Sequence, residues 1–376
     1  MQLTFDADVE AFRAEFIAFL DEHLPSEAEA LDRPRSSSDI PTWARRWQRL
    51  LFDSGCLLPG NPPEFGGRNA TLLQQYVYQE ELSRRRIYQS FNPQGVGIIA
   101  ASLLTFGTPE QKQRWAVPIL RAEITASLGM SEPGAGSDLA SLKTRAVLDG
   151  DHFVVNGQKV WTSGAHHADV LLTFVRTDPG APKHKGISAL LIPTDTPGVV
   201  RRPFASMGDI EDVDFNEVFF TDARVPAENL VGELDAGWRV ATGSLGHERA
   251  MLWLDYADML HALTVESRPA GPVQRDRYAT LAKAARGEED VPAQSVLKLL
   301  GSEAMQRACE DALGAKGGEG LALHGVTAPF APLNLDSHYG AWFDRYARTF
   351  AATIAGGTSE IQRNIIAERV LGLPRN

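Results

Sequence analysis

The chain has 376 residues, 43% hydrophobic and 23% charged, an ordinary balance for a soluble globular protein with apolar side chains enough for two or three domains. Lys and Arg number 37 against 48 Asp and Glu, a net charge of −11, and no dense basic run occurs, so nucleic-acid binding by counterion release lacks its charge. No run approaches the roughly 18 apolar residues of a membrane span, MQLTFDADVEAFRAEF lacks the pattern of a signal peptide, and two distant cysteines, Cys56 and Cys309, suggest neither a disulfide framework nor a metal cluster; a cytoplasmic protein is expected.

From about Asp8 to Arg121 the pattern is helical. Val9, Phe12, Phe16 and Phe19-Leu20 fall at three- and four-residue steps. The Pro/Gly-rich loop LLPGNPPEFGG at 57–67 interrupts, and helical stretches follow through Leu72, Leu73, Tyr76 and Val77 and from Val96 to Leu104. In GTPEQKQRW, Thr108 is an N-cap, with Pro109 in the first turn and Gln111 three residues after the cap. Between about Thr125 and Glu233 short β-rich runs are divided by turn dipeptides, Asp149-Gly150 and Asn156-Gly157 among them. HFVVNGQKVW, DVLLTFVRT, GISALLIP and FNEVFFTDARVP are the plainest strands. After LVGELDAGWRVATGSLGHERAML helices return to the end. The expected fold is therefore α+β, with a barrel or sandwich inserted between two helical bundles: an α-helical domain at 1–124, a β domain at 125–235 and an α-helical bundle at 236–376.

Four stretches have the residue types for chemistry. LGMSEPGAGSDLASL (128–142) has glycines that let backbone N–H groups converge on an anion and a Ser137-Asp138 pair where a helix or turn begins, but it matches neither the P-loop nor GxGxxG and by itself also reads as a capped surface loop. In VNGQKVWTSGAHHADVLLTF (155–174) a hairpin turn precedes Trp161-Thr162-Ser163; an indole beside two hydroxyls suits a flat heterocycle with a polar edge, and alone such a Trp reads as β-domain core. The adjacent His166 and His167 read as solvated or capping groups, and no metal is expected. In GSLGHERAML (243–252), Glu248 and Arg249 stand before an apolar helix, where a carboxylate is either simply exposed or, with water excluded, a base of raised pKa. Finally, TIAGGTSEIQRNIIAERVLG (353–372) is a chain reversal at Gly356-Gly357 followed by a helix that Ser359 caps while Gln362 reaches back, stopped at Gly372 and Pro374.

Together, MSEPGAGSD, WTSGAHHAD, VPAENLVGE and AGGTSEIQRNIIAERVLGLP resemble the acyl-CoA dehydrogenase family in order and spacing over nearly the whole chain. The resemblance implies noncovalent FAD, an acyl-CoA substrate, an α–β–α subunit of N-terminal helical domain, middle β-barrel and C-terminal four-helix bundle assembling as dimers of dimers, and electron-transfer flavoprotein as acceptor. Met130, Ser131 and Ser137 match the family's flavin-contacting loop, Ser137 also near the path of the CoA thioester, and Trp161, Thr162 and Ser163 match the strand beside the isoalloxazine. The implied reaction is α,β-dehydrogenation to a trans-2-enoyl-CoA, with the thioester carbonyl held by a ribityl hydroxyl and a backbone N–H. Many members carry the catalytic glutamate immediately before the Gly-Thr of the last motif, where this chain has Gly356. A subset, which includes long-chain, isovaleryl and bacterial steroid-side-chain enzymes, carries it at the position matched by Glu248, with Arg249 matching the family's active-site arginine. On that match Glu248 is the base, Gly356 and Gly357 leave room for the acyl chain or thioester, and Thr358, Ser359 and Glu360 face the cofactor.

Two stretches depart from the family. LTVESRPAGPVQRDRYATLAK lacks the Arg and Phe-Gly that grip the flavin's pyrophosphate across the dimer, and LGAKGGEGLALHG only loosely matches the Gln-x-x-Gly-Gly stretch that reaches the neighbour's FAD. Steroid-degrading members of the family include α2β2 heterotetramers in which one subunit supplies the base and the other the missing flavin contacts, so the resemblance implies a base-bearing subunit of such a pair acting on a bulky or branched acyl-CoA. The competing readings are a flavin oxidase or monooxygenase on the same scaffold and a noncatalytic subunit completing a partner's FAD site. If Glu248 is not the base, Asp209-Ile210-Glu211-Asp212 is the next acidic candidate.

Overall fold

The computed structural model describes residues 5–26, 28–32, 35–85, 87–205, 213–246, 291–318 and 342–374. The chain divides into two compact units, one of Met1–Arg33, Arg46–Gln89 and Arg249–Asn376, the other of Pro34–Arg45 and Ser90–Glu248.

The first unit is helical. Val9, Phe12, Phe16 and Leu20 are the buried residues of helix Ala7–His23, as their spacing predicts. Helix Leu72–Arg84 starts with a capping box in which Gln74 N donates to Thr71 Oγ1 and Thr71 N donates to the Gln74 side chain. Its inward face is Val77, Tyr78 and Leu82, while Leu72 and Leu73 are exposed. It meets the first helix through Phe16 and Tyr78, ring centroids 4.6 Å apart. The buried Glu81 carboxylate receives Arg13 at 3.4 Å, Arg84 at 2.7 Å and Arg85 at 2.9 Å, so its charge is paired rather than stranded. Helix Val291–Lys316 packs against Trp342–Ile354 and Ser359–Ile365, with Tyr346 set against Ala304, Met305, Ala308 and Cys309. The expected four-helix bundle falls partly on 247–290 and 319–341, outside the described residues, as do the Asp209–Asp212 loop, Glu248 and Arg249.

The second unit is built on one mixed sheet. Its strands are β1 (Ala126–Gly129), β2 (Arg145–Asp149), β3 (His152–Lys159), β4 (Val170–Arg176), β5 (Ile187–Pro193), β6 (Val199–Phe204), β7 (Phe215–Pro226) and β8 (Leu230–Val231). They run in the order β6-β7-β3-β2-β4-β5-β8, with β1 parallel to β4. Among the described strands this path does not close, so the barrel expected from the sequence is here an open sheet. β4 and β5, continuous apolar runs in sequence, are buried at six of their seven residues. With β3 and β7 they enclose a core of Phe153, Val155, Leu171, Leu190, Ile192 and Phe220. Helical turns fill the same unit: Thr108 and Gln111 form the expected capping box, and the Gln111 amide goes on to the carbonyls of Glu228 and Leu230, both at 2.8 Å. A helix over 237–246 is tied to helix Ala101–Phe106 by Ser244 and Ser102 hydroxyls 2.8 Å apart. Among the described residues no helix is long and apolar enough to cross a membrane.

The two predicted β turns come out differently. Asp149 pairs with His152 across a tight turn in which Gly150 has φ +63°. Asn156-Gly157 is not a turn: β3 continues through it, because β7 carries an extra residue opposite, and Asp222 takes the left-handed φ of +48°. Asn156 and Asp222 exchange two hydrogen bonds of 2.9 Å across this bulge. Gly157 is needed for space, since a Cβ there would lie 2.6 Å from the Thr144 Cα. Gly157→Ala is therefore expected to lower stability by about 1–3 kcal/mol. Gly150→Ala, which meets nothing within 4 Å and bears only the left-handed backbone strain, is expected to cost about 1 kcal/mol. Denaturant titration of both variants checks the difference.

Candidate active site

The loop after β1 is fastened to the end of β3 by a buried ion pair. Lys159 ends β3 on the same face as Phe153 and Val155, fully buried, and its Nζ donates to Met130 O at 3.0 Å and to Glu132 Oε1 at 2.9 Å. The remaining capacity of the carboxylate is taken by Lys143 N at 2.7 Å and Thr144 N at 2.8 Å. Burial drives the Lys159 pKa down from 10.5 to about 8, with Glu132 opposing it, so the amine is still charged at neutral pH. Burial acts to raise the Glu132 pKa but is outweighed by Lys159 and the backbone donors, so it ends below its ordinary value of 4.5. Beside the pair, Val160 N donates to Ser131 O at 3.0 Å. Met130 and Ser131, half-buried, are thereby joined to the start of Trp161-Thr162-Ser163.

Trp161 is not core: 59% of it is exposed, and it takes φ +62°, a strained backbone for so bulky a residue. Its indole stands edge-on to Phe204 and Phe215, centroids 5.2 and 5.5 Å away, which are themselves paired across β6 and β7. Thr162 is buried and its Oγ1 has no hydrogen-bond partner. Ser163 O accepts from Ser127 Oγ at 2.6 Å. Of the next residues, His167 Nδ1 lies 2.9 Å from Ser36 Oγ and His166 Nδ1 lies 3.0 Å from Asn216 Nδ2. Burial, then the neighbouring His167, lowers the His166 pKa.

Farther along the loop, Glu132 and Ala135 exchange two backbone hydrogen bonds of 3.0 Å around Pro133-Gly134. Gly134 and Gly136 face open space and Ser137 is exposed. Asp138 leads a short 3-10 turn, Leu139–Ser141, and is held by Ser141 Oγ at 2.5 Å and Lys183 Nζ at 2.7 Å.

The residues 356–360 form a separate group in the other unit. Gly356 and Gly357 have φ +65° and +98°, the left-handed reversal that the paired glycines predict. The cap is Thr358 rather than Ser359: Thr358 is extended, the last residue before the helix, and its side chain accepts from Ile361 N at 3.2 Å. Ser359 is buried in the first turn, and Gln362 instead donates to Gly356 O at 2.9 Å and Gly357 O at 3.3 Å. Glu360 is exposed, its pKa lowered first by its own backbone N–H and then by the Thr358 hydroxyl.

Residues 6–123, 127–223 and 276–371 match, in turn, the family models described as acyl-CoA dehydrogenase N-terminal domain, middle domain and C-terminal domain. The chain belongs to the acyl-CoA dehydrogenase family. Acyl-CoA dehydrogenase IpdE1 of Mycobacterium tuberculosis is 37% identical to it, over 98% of each chain. Among solved structures, the ChsE4-ChsE5 complex of Mycobacterium tuberculosis shares 31% identity at TM-score 0.77, with both chains covered completely. The Tcur3481-Tcur3483 steroid ACAD shares 29% at TM-score 0.76, also over all of both chains. The chain is an acyl-CoA dehydrogenase oxidoreductase, and its family implies a flavin cofactor.

The second unit suits such a cofactor. An unpartnered buried hydroxyl costs about 1–3 kcal/mol, and at Thr162 it stands next to an exposed indole and the ends of the fastened loop. Neither Lys159 nor Asn216 was marked by its sequence motif, although the two-residue period from Phe153 through Val155 points Lys159 inward. Because the Glu132 pKa is depressed in the fold, its stabilising effect is present above pH 4.5 and is lost as pH falls through the lowered value. Glu132→Gln, which strands the buried ammonium, is expected to cost about 3–5 kcal/mol at neutral pH. The Tm gap between it and the native protein is expected to narrow below pH 4.5; thermal melts across that window check the sign.

Proposed function

We propose that this chain is the base-bearing subunit of an FAD-dependent dehydrogenase that converts a bulky or branched acyl-CoA, steroid side chains included, to its trans-2-enoyl-CoA. The observation that carries the reading is the joined surface of the second unit: Met130 and Ser131 fastened beside the exposed Trp161 and the unpartnered Thr162 hydroxyl. Met130, Ser131, Ser137, Trp161, Thr162 and Ser163 are the flavin contacts assigned to this unit; the family resemblance adds Thr358, Ser359 and Glu360 at the start of the C-terminal helix as cofactor-binding residues. The proposed division into domains is 1–124, 125–235 and 236–376. When bound, FAD supplies the acceptor for the hydride that leaves the β-carbon, and the electrons go on to electron-transfer flavoprotein.

Glu248 removes the pro-R α-proton. A thioester α-proton is weakly acidic, so the carboxylate must be desolvated by the substrate it acts on, and Arg249 balances the charge that remains. Gly356 and Gly357, which present only backbone where many relatives carry a carboxylate, give space to the acyl chain or thioester. The likeness to the Tcur3481-Tcur3483 steroid ACAD supports the substrate class.

Similarity to the ChsE4-ChsE5 complex supports a second subunit, taken here as acyl-CoA dehydrogenase-like, and the proposed assembly is an α2β2 tetramer. So do the sequence departures at LTVESRPAGPVQRDRYATLAK and LGAKGGEGLALHG.

Glu248→Gln is expected to keep the flavin absorbance while lowering dehydrogenation by at least 10³-fold, on the order of the upper range for a general base; near-native turnover moves the base elsewhere. Co-expressed with a second acyl-CoA dehydrogenase-like subunit, the chain is expected to gain FAD occupancy and turnover. Full occupancy and activity from the chain alone would end the heteromer assignment.

A further inference from the structure

A left-handed backbone at a bulky side chain costs on the order of 1–3 kcal/mol and persists only where its surroundings over-determine it. Trp161, at φ +62°, is such a residue; beside Phe204 of β6 and the Val160–Ser131 bond, the restraints around it come from one short stretch of β7 and the residue before that strand. Asn216 O accepts from Thr162 N at 3.2 Å, and Asn216 Nδ2 donates back to Thr162 O at 3.1 Å, so one residue grips Thr162 by both its N–H and its carbonyl. Two residues earlier, Asp214 O accepts from Gly164 N at 2.7 Å. Between them Phe215 stands edge-on to the indole at 5.5 Å.

The carboxamide of Asn216 is itself fixed. It is fully buried, and its Nδ2 lies 2.8 Å from Asp214 O and 3.0 Å from His166 Nδ1 as well as near Thr162 O. An amide carries two N–H hydrogens, so three acceptors compete for two donors. Backbone carbonyls only accept, so the NH2 must face them; flipping the amide would set its oxygen against two carbonyl oxygens. The consequence is visible at the other end of the group, where Asn216 Oδ1 is buried with no hydrogen-bond partner. The side chain thus leaves its own acceptor unused while it holds the turn.

We infer that Asn216 is a positioning residue for the flavin: by clamping Thr162 it keeps Trp161 left-handed and its indole outward, and sets where the unpartnered Thr162 hydroxyl stands. The flavin half rests on the functional reading above, that residues 161–163 face the cofactor; the clamp on Trp161 does not. Asn216 touches no substrate atom in this account and acts through its neighbours.

The first test needs no cofactor. In flavin-stripped full-length protein, Asn216→Asp, isosteric but without the amide hydrogens, is expected to shift the tryptophan emission, and the shift is expected to vanish in a Trp161→Phe background. The second test titrates FAD into the same proteins. Asn216→Asp is expected to weaken FAD binding about tenfold, which corresponds to about 1.4 kcal/mol. In a background that carries both Trp161→Phe and Thr162→Ala the same change is expected to add less than about twofold, because Asn216 acts through those two side chains. Should Asn216→Asp not fold, Asn216→Ser, which keeps one donor, is read instead, with an expected loss of about two- to tenfold. Unchanged Trp161 emission overturns the clamp. Native FAD affinity in the variant, or losses that add in full across the Trp161 and Thr162 double background, overturns the positioning role while leaving the dehydrogenase reading intact. A native protein that takes up no FAD either alone or together with a second acyl-CoA dehydrogenase-like subunit overturns both that reading and the flavin half.

Discussion

The candidate site depends on one buried ion pair. Lys159 and Glu132 lie out of water, and taking two charges into an interior costs several kcal/mol per ion unless geometry and further hydrogen bonds compensate. Here they do: the amine also reaches Met130 O, and the carboxylate is completed by the backbone of Lys143 and Thr144. The pair therefore does more than neutralise itself. It holds three pieces of chain, the loop after β1, the start of β2 and the end of β3, in one register. Removing either partner leaves an uncompensated charge where the loop and strand meet, so the geometry at Met130, Ser131 and Trp161 is coupled to the stability of the whole sheet.

What the pair holds in place is a surface with deliberate exceptions to ordinary packing. An exposed indole, a left-handed Trp and a buried hydroxyl without a partner would each be a defect in a structural sheet. Their concentration at one strand end, backed by β7, is the local cost that the proposed flavin-binding face would explain. The C-terminal turn follows a different logic. Gly356 and Gly357 supply left-handed backbone, and their carbonyls are satisfied from within by Gln362, so the reversal is stable without any side chain in the turn. A position built this way contributes space rather than acid–base chemistry.

Much of this was legible in the sequence wherever a single local rule decides. The period of Val9, Phe12, Phe16 and Leu20 fixes a helix face, Thr108 with Gln111 fixes a helix start, and continuous apolar runs fix β4 and β5. Misreadings came where two rules compete. Asn156-Gly157 has the wording of a turn, but a bulge on β7 absorbs it and leaves the glycine to make room for Thr144. Thr358 and Ser359 are both good caps, and backbone placement after the two glycines chose the former. Trp161 reads as core by composition but is turned outward by its φ. Lys159 and Asn216 escaped notice because a lysine or asparagine in a strand is ordinarily solvent-facing; only partners distant in sequence, Glu132 and Thr162, make their burial stable.

The central claim is that this chain removes an α-proton and a β-hydride from an acyl-CoA through a flavin that its own loop and strand present. The direct test is anaerobic mixing of the purified, FAD-loaded protein, alone and with its partner subunit, with short, long, branched and steroid-side-chain CoA esters, followed by admission of air. The account predicts bleaching of the oxidised flavin band by bulky or branched esters, with stoichiometric enoyl-CoA and slow recovery in air. A flavin that no thioester in the series bleaches, or one that oxygen reoxidises as fast as substrate reduces it, contradicts the account.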